Sequence, residues 1–143
     1  MRILTTIVIV DDEEEILTAL EQMLSGEGYV VKAFSSSKEA ESYLKTKTAD
    51  LAVFDIKMPE LDGFSLLKSV RVHRPSLPII FLSSKAEEQD QIIGFTLGAD
   101  DYITKPFSKH LLLMRVAAVL RRHRSQDVAE AKDLVSAGEL TID

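Results

Sequence analysis

The stretch LAVFDIKMPELDG, residues 51–63, decides the fold. Its first four residues form an unbroken apolar run, the pattern of a strand buried on both faces inside a parallel sheet. Asp55 follows directly, which places its carboxylate at the C-terminal edge of the sheet, where open α/β folds form their ligand crevice. Pro59 and the pair Asp62-Gly63 indicate a loop before the next helix. We therefore expect Asp55 at the rim of the sheet, within reach of solvent, unless it is only a polar residue that ends a strand.

The rest of the chain alternates between strand and helix patterns. Further strands are predicted over residues 6–10, 29–34, 77–82 and 101–104, and helices over 13–25, about 35–45, 64–73, 86–97 and 108 to about 123. Five strand-helix units with short connections predict an α/β fold with a parallel sheet, helices on both faces and right-handed crossovers.

Size and composition exclude several classes of protein. The chain has 143 residues, of which 45% are hydrophobic and 28% charged, as in one globular domain. No apolar run approaches the ~20 residues that span a bilayer, and the N-terminus lacks a signal-peptide cleavage site, so we expect a cytoplasmic protein without membrane contact. The absence of cysteine leaves carboxylates as the plausible metal ligands. A net charge of −6 argues against nucleic-acid binding through bulk electrostatics.

The composition changes near residue 124. The last twenty residues are polar and mixed, and GELTID at 138–143 has the pattern of a short strand. We expect a domain over residues 1–123 and a linker, with the possible start of another domain, over 124–143.

Three carboxylates follow two strands that a doubly wound sheet brings side by side. Asp11 and Asp12 follow the first strand and Asp55 the third. Unit charges 4 Å apart repel by ~4 kcal/mol at an effective dielectric constant of 20, so such a cluster indicates a counter-ion. An all-oxygen site of this kind suits Mg²⁺. The alternative is that Asp11 and Asp12 cap the first helix.

A hydroxyl and a lysine belong to the same edge. Ser83 ends the fourth predicted strand and Lys105 follows the fifth. A lysine beside acids is often only a surface ion pair. Together, however, the residues provide a nucleophile, a metal site, a cation and a hydroxyl, which is what phosphoryl transfer to a carboxylate needs.

Four motifs resemble the receiver domain of two-component response regulators. They are VDDE at 10–13, DIKMPELDG at 55–63, LSSK at 82–85 and GADDYITKPF at 98–107, and the resemblance spans residues 5–123. It implies a flavodoxin-like (βα)5 fold with strand order 2-1-3-4-5. It also implies that the chain is a switch, which a sensor histidine kinase phosphorylates. Such a switch catalyses only its own phosphorylation and dephosphorylation and is not otherwise an enzyme.

The resemblance also assigns the metal and phosphoryl sites. Asp55 would be the phosphoacceptor. Asp12, Asp55 and the backbone carbonyl of Lys57 would bind Mg²⁺ directly, and Asp11 mainly through a water. Lys105 would contact the phosphoryl group.

Further roles follow for residues around that site. Pro106 would follow a cis peptide bond, and Ser83 and Tyr102 would form the switch pair, the hydroxyl moving toward the phosphoryl group as the ring turns inward. Lys57 and Lys85 border the path of the attacking water in the family, so we expect them to alter the dephosphorylation rate.

Residues 98–122 are similar to the OmpR/PhoB subfamily, whose receivers are joined to a winged-helix DNA-binding domain, and GELTID resembles the first strand of that domain. The resemblance implies a homodimer on activation, through the fourth helix, fifth strand and fifth helix. The corresponding residues are an apolar patch of Ile92, Phe95 and Met114 and the ion pairs Asp101 with Arg115 and Asp100 with Arg122. Two further family ion pairs are replaced, by Gln91 with Leu111 and by Thr96 with Ala117. The receiver alone is not expected to bind DNA.

Three alternatives remain. A haloacid-dehalogenase-type phosphatase needs a second aspartate two residues after the nucleophile, where this chain has Lys57. A nucleotide-binding module needs a glycine-rich loop after the first strand, where this chain has DDEEE at 11–15. The third alternative is a stand-alone receiver without an effector domain.

Overall fold

The computed structural model describes residues 4–84 and 88–139, with side chains over 4–84 and 90–124. The strands are β1 (Thr6–Val10), β2 (Val30–Phe34), β3 (Leu51–Asp55), β4 (Ile79–Ser83) and β5 (Asp101–Thr104). The helices are α1 (Glu14–Ser25), α2 (Ser37–Thr46), α3 (Gly63–His73), α4 (Glu88–Thr96) and α5 (Lys109–Glu139). Over these described ranges, no helix combines the length and apolar character needed to cross a bilayer.

The five strands form one parallel sheet in the order β2-β1-β3-β4-β5, which confirms the predicted flavodoxin-like fold. Val10 at the end of β1 pairs with Phe54, and Asp55 at the end of β3 pairs with Leu82. The carboxyl ends of β1, β3 and β4 therefore lie side by side. This edge of the sheet is called the acidic edge below.

Each central strand is buried on both faces. In β1, Ile7 and Ile9 belong to the hydrophobic cluster that includes α1 and α5, whereas Val8 and Val10 belong to the cluster that includes α2 and α3. Two-sided burial explains the unbroken apolar runs of the sequence, since neither face of the sheet meets water. The predicted inner face of α5 is confirmed, because Leu112, Val116, Val119 and Leu120 are all buried.

The predicted end of the fifth helix near His123 was wrong. α5 continues without interruption to Glu139, so the segment expected to be a linker has a helical backbone as far as that residue. Residues 124–139 include three alanines and no proline, which favours continuation of a helix. Gly138 and Glu139 lie in α5 rather than in a strand, and residues 140–143 are outside the described residues. The division into a domain and a linker at residue 123 stays a prediction.

Smaller boundary differences have local causes. β4 begins at Ile79 rather than Leu77, because Leu77 donates its N–H to Arg74 in a turn and Pro78 has no N–H to donate. The predicted first residues of the fourth helix, 86 and 87, lie outside the described residues.

Candidate functional site

Three carboxylates meet at the acidic edge, as the strand order predicts. One oxygen from each of Asp11, Asp12 and Asp55 lies within 4.8 Å of the others. Asp11 is fully buried and Asp12 is exposed. Asp55 is at the rim but only 5% exposed, so solvent reaches it less than expected.

Lys105 is inserted among these acids. Its Nζ lies 3.0 Å from Oδ2 of Asp11, 3.3 Å from Oδ1 of Asp55 and 3.2 Å from Oε1 of Glu13. The lysine side chain is only 9% exposed, so this is not the surface ion pair that was the alternative. Glu13 was not singled out from the sequence as a partner of Lys105, although it is the last residue of the VDDE motif.

Helix capping explains little of the acidic cluster. Glu13, the N-cap residue of α1, makes no side-chain cap hydrogen bond. Asp11 accepts the main-chain N–H of Glu13 through Oδ1 at 2.9 Å, which accounts for one of its oxygens. The capping alternative therefore leaves Asp12 and Oδ2 of Asp11 unexplained.

The charges at this edge are only partly balanced. Burial, and then repulsion by Asp11, raises the pKa of Asp55 to about 6. Burial likewise raises the pKa of Asp11. Burial opposes the charge of Lys105, but the surrounding carboxylates outweigh it and raise the pKa of its ammonium group. The cluster retains excess negative charge that a further cation would relieve.

The loop after Asp55 is fixed by short-range contacts. Gly63 donates its N–H to the carbonyl of Ile56 at 2.7 Å, and a Cβ on this glycine would collide with the carbonyl oxygen of Asp55. Asp62 accepts the N–H of Ser65 at 2.8 Å and caps α3. The DG pair of the sequence thus starts a helix and holds the backbone of Asp55 in place.

The other predicted residues surround this centre. Ser83 is 3% exposed at the end of β4, and its carbonyl accepts the N–H of Lys105 at 2.6 Å. The Lys105–Pro106 peptide bond is cis. Tyr102, in β5, is 8% exposed. The side chain of Lys57 is exposed, and Lys85 lies outside the described residues.

The donor set suits a hard divalent cation. All three side chains offer carboxylate oxygens, the ligands that Mg²⁺ prefers. The buried Oδ2 of Asp11 has Nζ of Lys105 as its close partner, at 3.0 Å. A buried carboxylate grouped with two others around one shared ammonium group is the arrangement expected of a metal ligand or of an acceptor for metal-bound water.

The α4-β5-α5 face, formed by the outer sides of those three elements, carries the predicted apolar patch. Ile92, Phe95 and Met114 are between 49% and 58% exposed.

The charged side chains of this face form ion pairs and hydrogen bonds with residues of the same chain. Nη1 of Arg115 lies 2.8 Å from Oδ1 of Asp101. Arg122 donates to the main-chain oxygen of Asp100, whose carboxylate instead lies 2.7 Å from Nε2 of His123. The predicted pair of Asp100 with Arg122 is therefore not formed between their charged groups within one chain, and His123 is a partner that the sequence reasoning missed. Both ion pairs across a dimer stay predictions.

Comparisons with known proteins agree with this geometry. Residues 7–117 match the response regulator receiver domain family. The chain is 41% identical over 137 residues to the alkaline phosphatase synthesis transcriptional regulatory protein PhoP of Bacillus subtilis, covering 95% of this chain and 57% of that protein. The chain thus spans a little over half the length of this relative.

Solved structures give the same answer. A CheY-like receiver domain protein from Methanospirillum hungatei superposes with a TM-score of 0.83 and 31% identity, over 87% of this chain and 99% of that one. The regulator DrrB, an OmpR/PhoB homologue from Thermotoga maritima, superposes with a TM-score of 0.77 and 29% identity, over 84% of this chain and 54% of that one. The chain therefore belongs to the response regulator receiver domain family.

Proposed function

We propose that Asp55 accepts a phosphoryl group from a partner sensor histidine kinase in a Mg²⁺-dependent step. The observation that carries this proposal is the position of the Asp55 carboxylate, 3.3 Å from Nζ of Lys105 and beside two further carboxylates. A nucleophile, a cation and a set of hard oxygen ligands converge there, and little else is required for phosphoryl transfer.

Asp12, Asp55 and the backbone carbonyl of Lys57 would hold Mg²⁺, with Asp11 acting mainly through a water. When bound, Mg²⁺ would neutralise charge on the phosphoryl oxygens. With a pKa of about 6, Asp55 is mostly ionised at neutral pH and therefore nucleophilic. Its oxygen forms a bond to phosphorus as the bond to the kinase imidazole breaks, and the released imidazole takes up a proton.

Lys105 would stabilise the product. Its ammonium group needs little movement to reach an oxygen of a phosphoryl group on Asp55. Hydrolysis of the phosphoryl group on Asp55 completes the cycle. The exposed Lys57 would alter the rate of that hydrolysis, as we also propose for Lys85. The chain thus acts as a switch that catalyses only its own phosphorylation and dephosphorylation.

Ser83 and Tyr102 would carry the change to the α4-β5-α5 face. Ser83 ends the strand next to Asp55, and Tyr102 pairs in register with Phe81 on the neighbouring strand. Tyr102 is mostly buried, and we infer that phosphorylation stabilises this inward ring position.

The output would be association with a second copy of the chain through that face, and control of a transcription-regulating effector domain. Two ion pairs usual in the family are replaced here by neutral or apolar residues, Gln91 with Leu111 and Thr96 with Ala117. No charge is stranded by these replacements. The dimer interface should therefore have a larger apolar fraction, and dimerisation should depend less on salt concentration. The chain should also pair poorly with relatives that keep all the charged residues of this face.

Titration with beryllofluoride and Mg²⁺, followed by amide NMR and sedimentation, tests the site and the switch together. Shifts at Asp55 and Tyr102 accompanied by dimer formation are the expected result. Steady hydrolysis of a phosphomonoester would instead support the phosphatase alternative.

A further inference from the structure

The sheet edge opposite the acidic edge carries a cavity with a mixed polar and apolar lining. It has a volume of about 360 Å³ and lies between the α2–β3 connection, the α3–β4 connection and α5. Its polar lining includes Thr48, Asp50, His73, Arg74, Ser76 and Arg124. These connections enter the amino ends of β3 and β4, so a strand length of roughly 13 Å separates the cavity from Asp55.

Two guanidinium groups of the cavity are held in place by neutral oxygens. Nε of Arg74 donates to the carbonyl of Leu44 at 3.0 Å, and Nη2 of Arg124 donates to Oγ1 of Thr5 at 2.8 Å. Among the side chains that the structure describes, Lys105 and Arg115 form ion pairs with carboxylates, and these two arginines do not. Each guanidinium keeps most of its five N–H donors and an uncompensated positive charge.

The remaining lining groups favour an anion on balance. The hydroxyls of Thr48 and Ser76 are exposed and able to donate. Asp50 opposes an anion, but its Oδ2 already accepts the main-chain N–H of Thr6 at 2.7 Å. His123 also lines the cavity, although its Nε2 is paired with Asp100. Two permanent positive charges thus face one carboxylate, in a chain whose net charge is −6.

We propose that this cavity binds a small phosphate-type anion, held by Arg74 and Arg124 with the hydroxyls of Thr48 and Ser76. Guanidinium groups bind phosphate oxygens through short, charge-assisted and often bidentate hydrogen bonds. Two of them, fixed on different elements, suit an anion with several oxygens and more than one negative charge. The bound anion would connect α5 to the α3–β4 connection, and its binding does not depend on phosphorylation of Asp55.

Titration of the full chain with inorganic pyrophosphate, without Mg²⁺ and at low ionic strength, tests the proposal. Amide NMR should show saturable shifts at Thr48, Ser76 and Arg124, and not at Asp12 or Lys105. Combining Arg74→Gln with Arg124→Gln should weaken binding at least tenfold, since two charge-assisted contacts are lost. Arg121→Gln removes the same charge from an exposed position of α5 outside the cavity and should change affinity less than twofold.

The arginines also bond to Leu44 of α2 and to Thr5, just before β1, so their replacement could disturb folding. A second variant therefore tests the site without changing them. Thr48→Ala with Ser76→Ala removes two exposed hydroxyls and should weaken binding about threefold or more. The proposal is overturned if pyrophosphate gives no saturable shift at the cavity, or if the shifts centre on Lys105. Equal losses of pyrophosphate affinity in the Arg121→Gln and Arg124→Gln variants would also overturn it. So would a chain that binds a short DNA duplex but does not bind pyrophosphate.

Discussion

Lys105 and Asp55 are in direct ionic contact, with 3.3 Å between Nζ and Oδ1. The lysine also contacts Asp11 and Glu13, so one cation serves three carboxylates. Burial, and then repulsion by Asp11, keeps the pKa of Asp55 raised, at about 6, despite the adjacent ammonium group. The metal-free site is therefore a source of instability.

Asp55→Asn should raise the free energy of unfolding of the metal-free protein at pH 7, by at most about 3 kcal/mol. The ordinary pKa of an aspartate carboxyl group is 3.8, and in the folded protein that of Asp55 is about 6. Between those values the folded state holds more protons than the unfolded state, so stability falls as pH rises, and the loss is complete above pH 6. The stability difference between variant and parent should shrink toward pH 4. Urea unfolding at pH 4, 5, 6 and 7.5 measures it, and a difference independent of pH would contradict this origin.

Asp12→Ala should remove most of the stabilisation by Mg²⁺ while leaving the metal-free protein as stable as the parent or more stable. Asp12 is exposed, and the side chain of Glu13, the N-cap residue of α1, makes no cap hydrogen bond. A metal ion that binds only the folded state raises the melting temperature by mass action, and the proposed Mg²⁺ site would lose one of its ligands in this variant. Thermal unfolding with and without Mg²⁺ measures both effects. A clear loss of stability without metal would support helix capping instead.

Gly63→Ala should destabilise the protein by about 2 kcal/mol or more, because the new methyl group would collide with backbone atoms of Asp55 and Ile56. Backbone at the end of a central strand has no room to shift. Gly26→Ala, at a residue in the right-handed helical region, should stay within about 1 kcal/mol of the parent. Denaturant unfolding of the two variants compares them, and equal effects would show that the contact at Gly63 is not limiting.

Met114→Asp should prevent dimerisation of the beryllofluoride-activated protein. Met114 is 53% exposed at the centre of the apolar patch, where a buried, unpaired carboxylate would oppose association. Each exposed ion pair contributes only ~0.2 to 1 kcal/mol, so the patch should dominate the interface. Sedimentation at two salt concentrations tests this. A dimer unaffected by the substitution would place the interface elsewhere.

The parts of the fold that follow from burial were predictable from the sequence. Apolar runs ending in Asp11, Asp55 and Ser83 indicated buried parallel strands, and strand order then brought those residues to one edge. The end of α5 was not predictable in this way, since the polar residues after Arg124 are compatible with either a helix or a linker.

Individual contacts between charged side chains were less predictable. They depend on how far a side chain extends from one helix, strand or loop to another, which the periodicity of the sequence does not show. Glu13 as a partner of Lys105 and His123 as a partner of Asp100 are the two examples. The opposite cavity was also missed, since its arginines come from separate connections and share no motif.

The most direct test of the central claim is the mass of the intact chain after incubation with a small phosphodonor, with and without Mg²⁺. We expect one phosphoryl group per chain, dependent on Mg²⁺, and none on the Asp55→Asn variant. Stoichiometric aspartyl phosphate on that variant, or phosphorylation that does not need the metal, would contradict it.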